Sequence, residues 1–227
     1  MSPEKDTTQY LLTIRGKLKP ATVEDSRNVH NMTAGNPAGV AAARSLGDLS
    51  HMVYVPSGQN GGRSSELLIL DVWNNLDGLN QFFTDHDVQQ GGEMIFTERE
   101  PVVWMPARGA FTYHLAAPKG KNDRFVGVVR GPVHSHEQGL AVHNEFASMG
   151  VNQARLAGNV SHDVFFRLAQ PGTPESLEFL AVDVWMDAAG MAATYTNPAY
   201  GSVFTSLFSG AFTASTWQEP AGEWIEW

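Results

Sequence analysis

The chain has 227 residues, 42% of them hydrophobic, enough to bury a core of one or two domains. Its 15 basic and 24 acidic side chains leave a formal charge of −9 with no basic patch to offset it, so nucleic acid and anionic lipid are not expected partners. The lack of cysteine excludes disulfides, thiolate metal sites, iron–sulfur clusters and a cysteine nucleophile.

In chain order, the opening MSPEKDTTQY is polar and no later run is apolar enough to span a bilayer, so a soluble, cytoplasmic protein is expected. Residues 11–18 are aliphatic and β-branched and read as a strand. Thr22 with Asp25 three positions on then opens a helix in the manner of a capping box. That helix carries Val29-His30-Asn31, is interrupted by Gly35-Asn36-Pro37, and ends near Gly47. Residues 49–56 and 66–73 form a hairpin, Asn75 caps a second helix, and residues 102–105 supply a closing strand. Residues 116–123, with Pro118, Gly120 and two lysines, read as a linker.

The same series then recurs. Arg15-Gly16 returns as Arg130-Gly131, Val29-His30-Asn31 as Val142-His143-Asn144, Ser50-His51 as Ser161-His162, and Asp71-Val72-Trp73 as Asp183-Val184-Trp185, at offsets of 115, 113, 111 and 112. Trp104 returns as Trp217. A period this long is a duplicated domain and not a solenoid element. The expected organisation is α+β: two tandem βαββαβ repeats, residues 1–115 and 124–227, joined by the linker. Each antiparallel sheet would carry helices on one face and leave the other apolar, so the two sheets are expected to cover each other as an intramolecular barrel.

The stretch DVWNNLDGLNQFFTDHDVQQ, a strand, a tryptophan and a helix ending in a histidine, resembles members of the dimeric α+β barrel superfamily of ferredoxin-like domains that are similar to antibiotic-biosynthesis monooxygenases. That resemblance implies a small aromatic or polyketide-like ligand in the barrel, with cofactor-independent oxygenases, cyclases and haem proteins among the family's activities. His86 stands at the family's helix-end histidine, whereas Pro198 holds the matching place in the second copy.

Several residues could carry chemistry. His51 and His162 share strand parity with Val53 and Val164, and an imidazole on an apolar face suits a general base; a structural hydrogen bond is the competing use. Asp71 and Asp183, buried in apolar strands, need partners, either those histidines or Arg15 and Arg130. The arginine clamp is the expected pairing because the two residue types recur together. Trp73 and Trp185 either stack on a ligand or fill the core. His30 and His143 either donate to a ligand or face solvent and neighbouring helices. His134-Ser135-His136-Glu137 is the one metal-like cluster, and its pattern does not recur, so no metal is expected. No nucleotide-binding, serine-hydrolase or zincin motif occurs.

The expected function is that of a cofactor-independent monooxygenase or cyclase acting on an aromatic or polyketide-like small molecule. The alternatives are a non-catalytic ligand-binding or stress-related barrel and a haem-binding protein with a histidine ligand. A homodimer is possible, and Trp224 and Trp227 are expected to dock on the barrel or on a neighbouring subunit.

Overall fold

The computed structural model describes residues 8–58, 65–116 and 123–227, so most of the expected linker lies outside the described residues. The chain forms two compact units, one of Met1–Met105 with Pro220–Trp227 and the other of Pro106–Glu219. This differs from a simple division at the linker: residues 106–115, the last ten of the expected first repeat, belong with the second unit, and the C-terminal tail belongs with the first.

The first unit runs β1 (Tyr10–Leu18), α1 (Val23–Met32), α2 (Pro37–Ser45), β2 (Asp48–Pro56), β3 (Glu66–Trp73), α3 (Leu76–Thr84), α4 (His86–Ile95) and β4 (Phe96–Pro106). Its strands lie in the order β4-β1-β3-β2, all antiparallel. The second unit opens with the short β5 (Tyr113–His114). It continues with β6 (Phe125–Pro132), α5 (His136–Leu156), β7 (Asn159–Arg167), β8 (Glu178–Trp185), α6 (Ala188–Tyr195), α7 (Pro198–Leu207) and β9 (Thr213–Gln218). Its order β9-β6-β8-β7 repeats that of the first, with β5 added beyond β7. Both units are therefore βαββαβ.

Local chemistry explains the helix ends. The Thr22 hydroxyl accepts the Asp25 N–H at 3.0 Å, and Ser135 accepts that of Gln138 at 3.1 Å. The expected break in the first copy is present: Asn36 accepts the Gly39 N–H and Pro37 opens α2, whereas α5 runs unbroken for 21 residues. The second helix of each repeat, expected to be continuous, is also split. Asp85 caps a new start by accepting the Asp87 N–H at 2.8 Å, and Asn197 with Pro198 does so in the other copy. The closing strand of the first unit begins at Phe96 and is longer than residues 102–105. Gly47 and Gly158, at φ of +107° and +98°, turn each chain from helix to strand in a conformation that other residues adopt at a cost.

Strand alternation sets the faces. Leu12, Ile14, Val53, Ile69 and Trp73 point to the helices, where they bury against Ala43, Leu79 and Ile95. Fully burying such side chains contributes about 1.5–3 kcal/mol each. Trp104 pairs in register with Leu11 and so takes the opposite face, its indole N–H donating to the Thr13 hydroxyl at 2.9 Å.

Candidate active site

In each unit the sheet brings a histidine and an aspartate directly opposite each other. His51 on β2 pairs with Asp71 on β3, and His162 on β7 with Asp183 on β8. Both pairs point to the helix side. There the first helix delivers a second imidazole, His30 or His143, onto the first. The result is a chain of hydrogen bonds present twice.

In the first unit Asp71 Oδ1 lies 2.6 Å from His51 Nδ1, His51 Nε2 lies 2.8 Å from His30 Nε2, and His30 Nδ1 lies 3.0 Å from Asn31 Oδ1. In the second the corresponding distances are 2.7, 2.7 and 3.0 Å through Asp183, His162, His143 and Asn144. The asparagines fix the protons. Asn31 Nδ2 donates to the Glu223 carbonyl at 2.9 Å while its Oδ1 accepts the Ile225 N–H at 3.0 Å. Asn144 does the same to Gly109 and Phe111. An asparagine oxygen already pointing at the ring must accept, so the first-helix histidine carries its proton on Nδ1 and leaves Nε2 as an acceptor. His51 and His162 must then donate from Nε2, with a further proton shared between Nδ1 and the aspartate.

Electrostatics agree with this assignment. Burial first, and then the neighbouring imidazole, lowers His30 and His143 from 6.5 to about 4, so both stay neutral. His51 and His162 are pushed upward despite the opposing effect of burial, because Asp71 and Asp183 hold the imidazolium form by charge and by hydrogen bond.

A backbone segment lies along the edge of each site. The C-terminal tail pairs with β2, His51 N–H donating to Trp227 O at 2.7 Å and Trp227 N–H returning to His51 O. The Trp227 ring stacks on His51 at 4.6 Å. In the second unit β5 takes that place, with Tyr113 paired to His162. Trp227 thus docks as expected of an aromatic tail.

The two copies differ in what surrounds the chain. In the first, a cavity of about 540 Å³ opens between sheet and helices and reaches His51, Asp71, Asp48 and Trp227. In the second, the equivalent space is about 80 Å³. The helices explain the difference. Gly91 and Gly92, the sixth and seventh residues of α4, correspond to Val203 and Phe204 of α7; Val88 corresponds to Tyr200, and Thr33 to Phe146. Phe83 of α3 corresponds to Tyr195 of α6, whose hydroxyl donates to Asp183 Oδ2 at 2.7 Å. That hydroxyl fits because Gly127 stands opposite Asp183 where Leu12 stands opposite Asp71; a Cβ on Gly127 would meet it at 2.1 Å.

Two groups in the open cavity were not among the residues singled out from sequence. Asp48, at the start of β2, is 4% exposed, and its Oδ1 has no hydrogen-bond partner. Burial, reinforced by the charge of Asp71, raises its carboxyl from 3.8 to about 7. The second copy has Asn159 there, which accepts a hydrogen bond from the Tyr113 hydroxyl. Arg99 of β4 lines the same cavity, its guanidinium donating to Gln89 Oε1 at 2.5 Å and lying against Gly92. The offset between copies carried this signal, since Asp48 against Asn159 and a Gly-Gly pair against Val-Phe are legible by alignment alone.

Several expectations need correction. Arg15 and Arg130 do not clamp the aspartates: they pair with Glu66 and Glu178, because each arginine points away from the helix face that holds Asp71 or Asp183. His30 and His143 are buried and not solvent-facing. Trp73 is a core residue away from the cavity, and Trp185 is equally buried, its ring touching only the small space. His86 is exposed at the start of α4 and reaches only Asp87. The ligand was expected between the sheets, but the cavities that reach the histidines lie within each repeat, because strand parity turns these side chains toward the helices. His136 is held by Ser176 O and Glu175, and no metal-binding group of three ligands occurs among the described residues. All four ring nitrogens of His30 and His51 are engaged by protein partners.

Comparison with solved structures places this architecture. An anthrone oxidase-like protein superposes with a TM-score of 0.60 at 16% identity, covering 94% of this chain and 92% of its own. A monooxygenase-like protein from Listeria innocua gives 0.54 at 9% identity, with 96% and 98% covered. A ferredoxin-fold protein related to antibiotic biosynthesis monooxygenases, from Listeria monocytogenes, gives 0.50 at 8%, with 98% and 100% covered. Each repeat has a ferredoxin-like fold, as these solved structures do. No family model matches this chain. No curated protein matches it either. Among the described residues of this ferredoxin-like chain, no helix is long and apolar enough to cross a membrane.

Proposed function

We propose that the protein is a small-molecule enzyme whose working site is the cavity of the first repeat, and that its substrate is a planar aromatic or polyketide-like carbon acid. The observation that carries this reading is the contrast between copies: the same histidine–aspartate chain borders a space of about 540 Å³ in one repeat and about 80 Å³ in the other. The larger volume falls within the range of small-molecule sites, roughly 300–1,000 Å³. Phe82, Phe83 and Trp227 offer flat apolar walls, and Arg99 offers a cation to an oxygen that gains negative charge.

The chemistry that fits is removal of an acidic proton to give an enolate or phenolate. In the oxygenase form dioxygen is the oxidant, and a methylene becomes a carbonyl as R₂CH₂ + O₂ → R₂C=O + H₂O. Anthrone, a tricyclic ketone with such a methylene, is the first substrate to try, in keeping with the fold-level likeness to an anthrone oxidase-like protein. Quinone formation would be followed by absorbance alongside oxygen uptake, with equal amounts of each expected. Ala42→Trp, on the cavity wall, should abolish turnover without lowering the melting temperature. Failure of the native protein to bind or convert anthrone and its hydroxylated analogues would remove this reading.

A further inference from the structure

The second repeat shows how the space over one end of the sheet is filled with apolar side chains. Phe204 of α7 and Phe212, just before β9, meet with ring centroids 5.3 Å apart, and Phe212 lies over Gly131 of β6. The 113-residue offset that joins Trp104 to Trp217 makes Arg99 the counterpart of Phe212, while Gly92 is that of Phe204. Arg99 likewise stands opposite its glycine, Gly16 of β1. A glycine and an arginine in the first repeat thus take the places of an apolar pair in the second. The two go together, because a Cβ on Gly92 would strike Arg99 Nη1; the missing side chain lets the guanidinium lie against α4.

That guanidinium is held in place but not neutralised. Arg99 Nη2 donates to Gln89 Oε1 at 2.5 Å, and Gln89 is itself fixed, since its Nε2 donates to the Phe83 carbonyl in α3. Gln89 carries no charge, and among the described residues no carboxylate lies within ion-pair distance of Arg99. The carboxylates bordering the cavity are placed elsewhere. Asp71 holds His51, Asp85 caps α4 through the N–H groups of Asp87 and Val88, and the Asp87 side chain stands in solvent. A half-buried cation beside a neutral amide is costly, and the phenylalanines of the second repeat show that the fold does not require it.

We infer that the cavity of the first repeat takes a ligand bearing a carboxylate, and that Arg99, aimed by Gln89, is the residue that selects it. The inference rests on the proposed function and deepens it by narrowing the substrate class from aromatic or polyketide-like molecules to their carboxylic acids. Nη2 is spent on Gln89, so the carboxylate is received by the remaining N–H groups, with Nη1 beside Gly92 on the cavity wall. Position along the sheet sets the ligand's orientation. Arg99 stands opposite Gly16 and Asp71 opposite Leu12, four residues or about 13 Å apart along β1. A ligand anchored on Arg99 therefore extends its rings toward the His51 end of the cavity. Anthrone itself lacks the anchoring group, so its carboxylic acids should bind more tightly.

The probes are anthraquinone-2-carboxylate and anthraquinone-2-carboxamide, two flat molecules of nearly the same shape that differ in charge at neutral pH. Binding is followed by quenching of tryptophan fluorescence, Trp227 being on the cavity wall. The native protein should bind the carboxylate at least about tenfold more tightly than the amide. Arg99→Gln should bring the carboxylate down to the level of the amide and leave the amide within about twofold of its native affinity. Arg99→Phe, which installs the residue of the second repeat, should remove the preference in the same way. An arginine with a packing role alone would weaken both probes together in these variants, and that result, or a preference that survives in both, overturns the assignment to Arg99. Equal native affinities for the two probes overturn the carboxylate inference while the cavity remains a ligand site. Absence of binding of either probe to the native protein overturns the reading of the cavity, and this inference with it.

Discussion

Asp48→Asn should stabilise the protein, and by an amount that depends on pH. The carboxyl is 4% exposed and is raised from 3.8 to about 7, chiefly by burial and then by Asp71. A raised carboxyl holds its proton more tightly in the folded chain than in the unfolded one. The native fold is therefore unpenalised below pH 3.8 and progressively penalised as pH rises through about 7. At pH 8 the full shift of roughly three units corresponds to a penalty of up to about 4 kcal/mol; at pH 5 only about 1.5 kcal/mol of it has developed. The new amide also changes local hydrogen bonding, but that contribution is common to both pH values and cancels in the difference. Urea denaturation of native and variant protein at pH 5 and pH 8 should thus give a stabilisation about 2–3 kcal/mol larger at the higher pH. An equal change at both pH values would refute the claim that Asp48 is a carboxyl forced into a poorly solvated place.

The imidazole chain predicts a nitrogen NMR pattern in which His30 and His143 remain neutral with the proton on Nδ1 down to about pH 4. Their lowered values stabilise the fold above pH 6.5, and that stabilisation is lost as pH falls toward 4; titration near 6.5 would contradict the assigned chain. Tyr195→Phe removes a hydrogen bond to a buried carboxylate and should cost about 1.5–3 kcal/mol in thermal or chemical melts, while leaving turnover in the first repeat intact. Asn31→Ala unfastens the tail from α1 and orphans His30 Nδ1, with an expected loss of about 1–3 kcal/mol; removing residues 224–227 should also lower the melting temperature. Arg99→Gln should weaken binding of an anionic probe by about tenfold with little change for a neutral one, as measured by fluorescence titration.

Much of the fold was legible because duplication doubles every signal. Thr22 and Ser135 mark helix starts, and Asn36-Pro37 marks the break confined to one copy. The splits at Asp85 and Asn197 were harder to see, since a capping residue inside an apolar pattern gives only a local cue. Strand parity set His51 with Val53 and Asp71 with Trp73, but it could not choose between Arg15 and His51 as the partner of Asp71. That choice depends on which side of β1 each residue faces: Arg15 sits in register with Leu68, whereas Asp71 sits opposite Leu12. The helical histidines looked dispensable because a single turn of sequence does not reveal that a strand residue will reach back to them. The cavity was visible as a difference and not as a motif, since Gly91-Gly92 gains meaning only beside Val203-Phe204.

The two edge segments have a consequence for how this chain has been kept through evolution. The stretch trailing the first repeat serves the second, and the stretch trailing the second carries Trp227 to the wall of the first. The repeat whose own chamber is filled is therefore not expendable ballast: truncating the gene to its open half would also discard the aromatic panel beside His51. Substitutions in α4 alone would reshape the open chamber, but the second repeat could not be shed without rebuilding that wall.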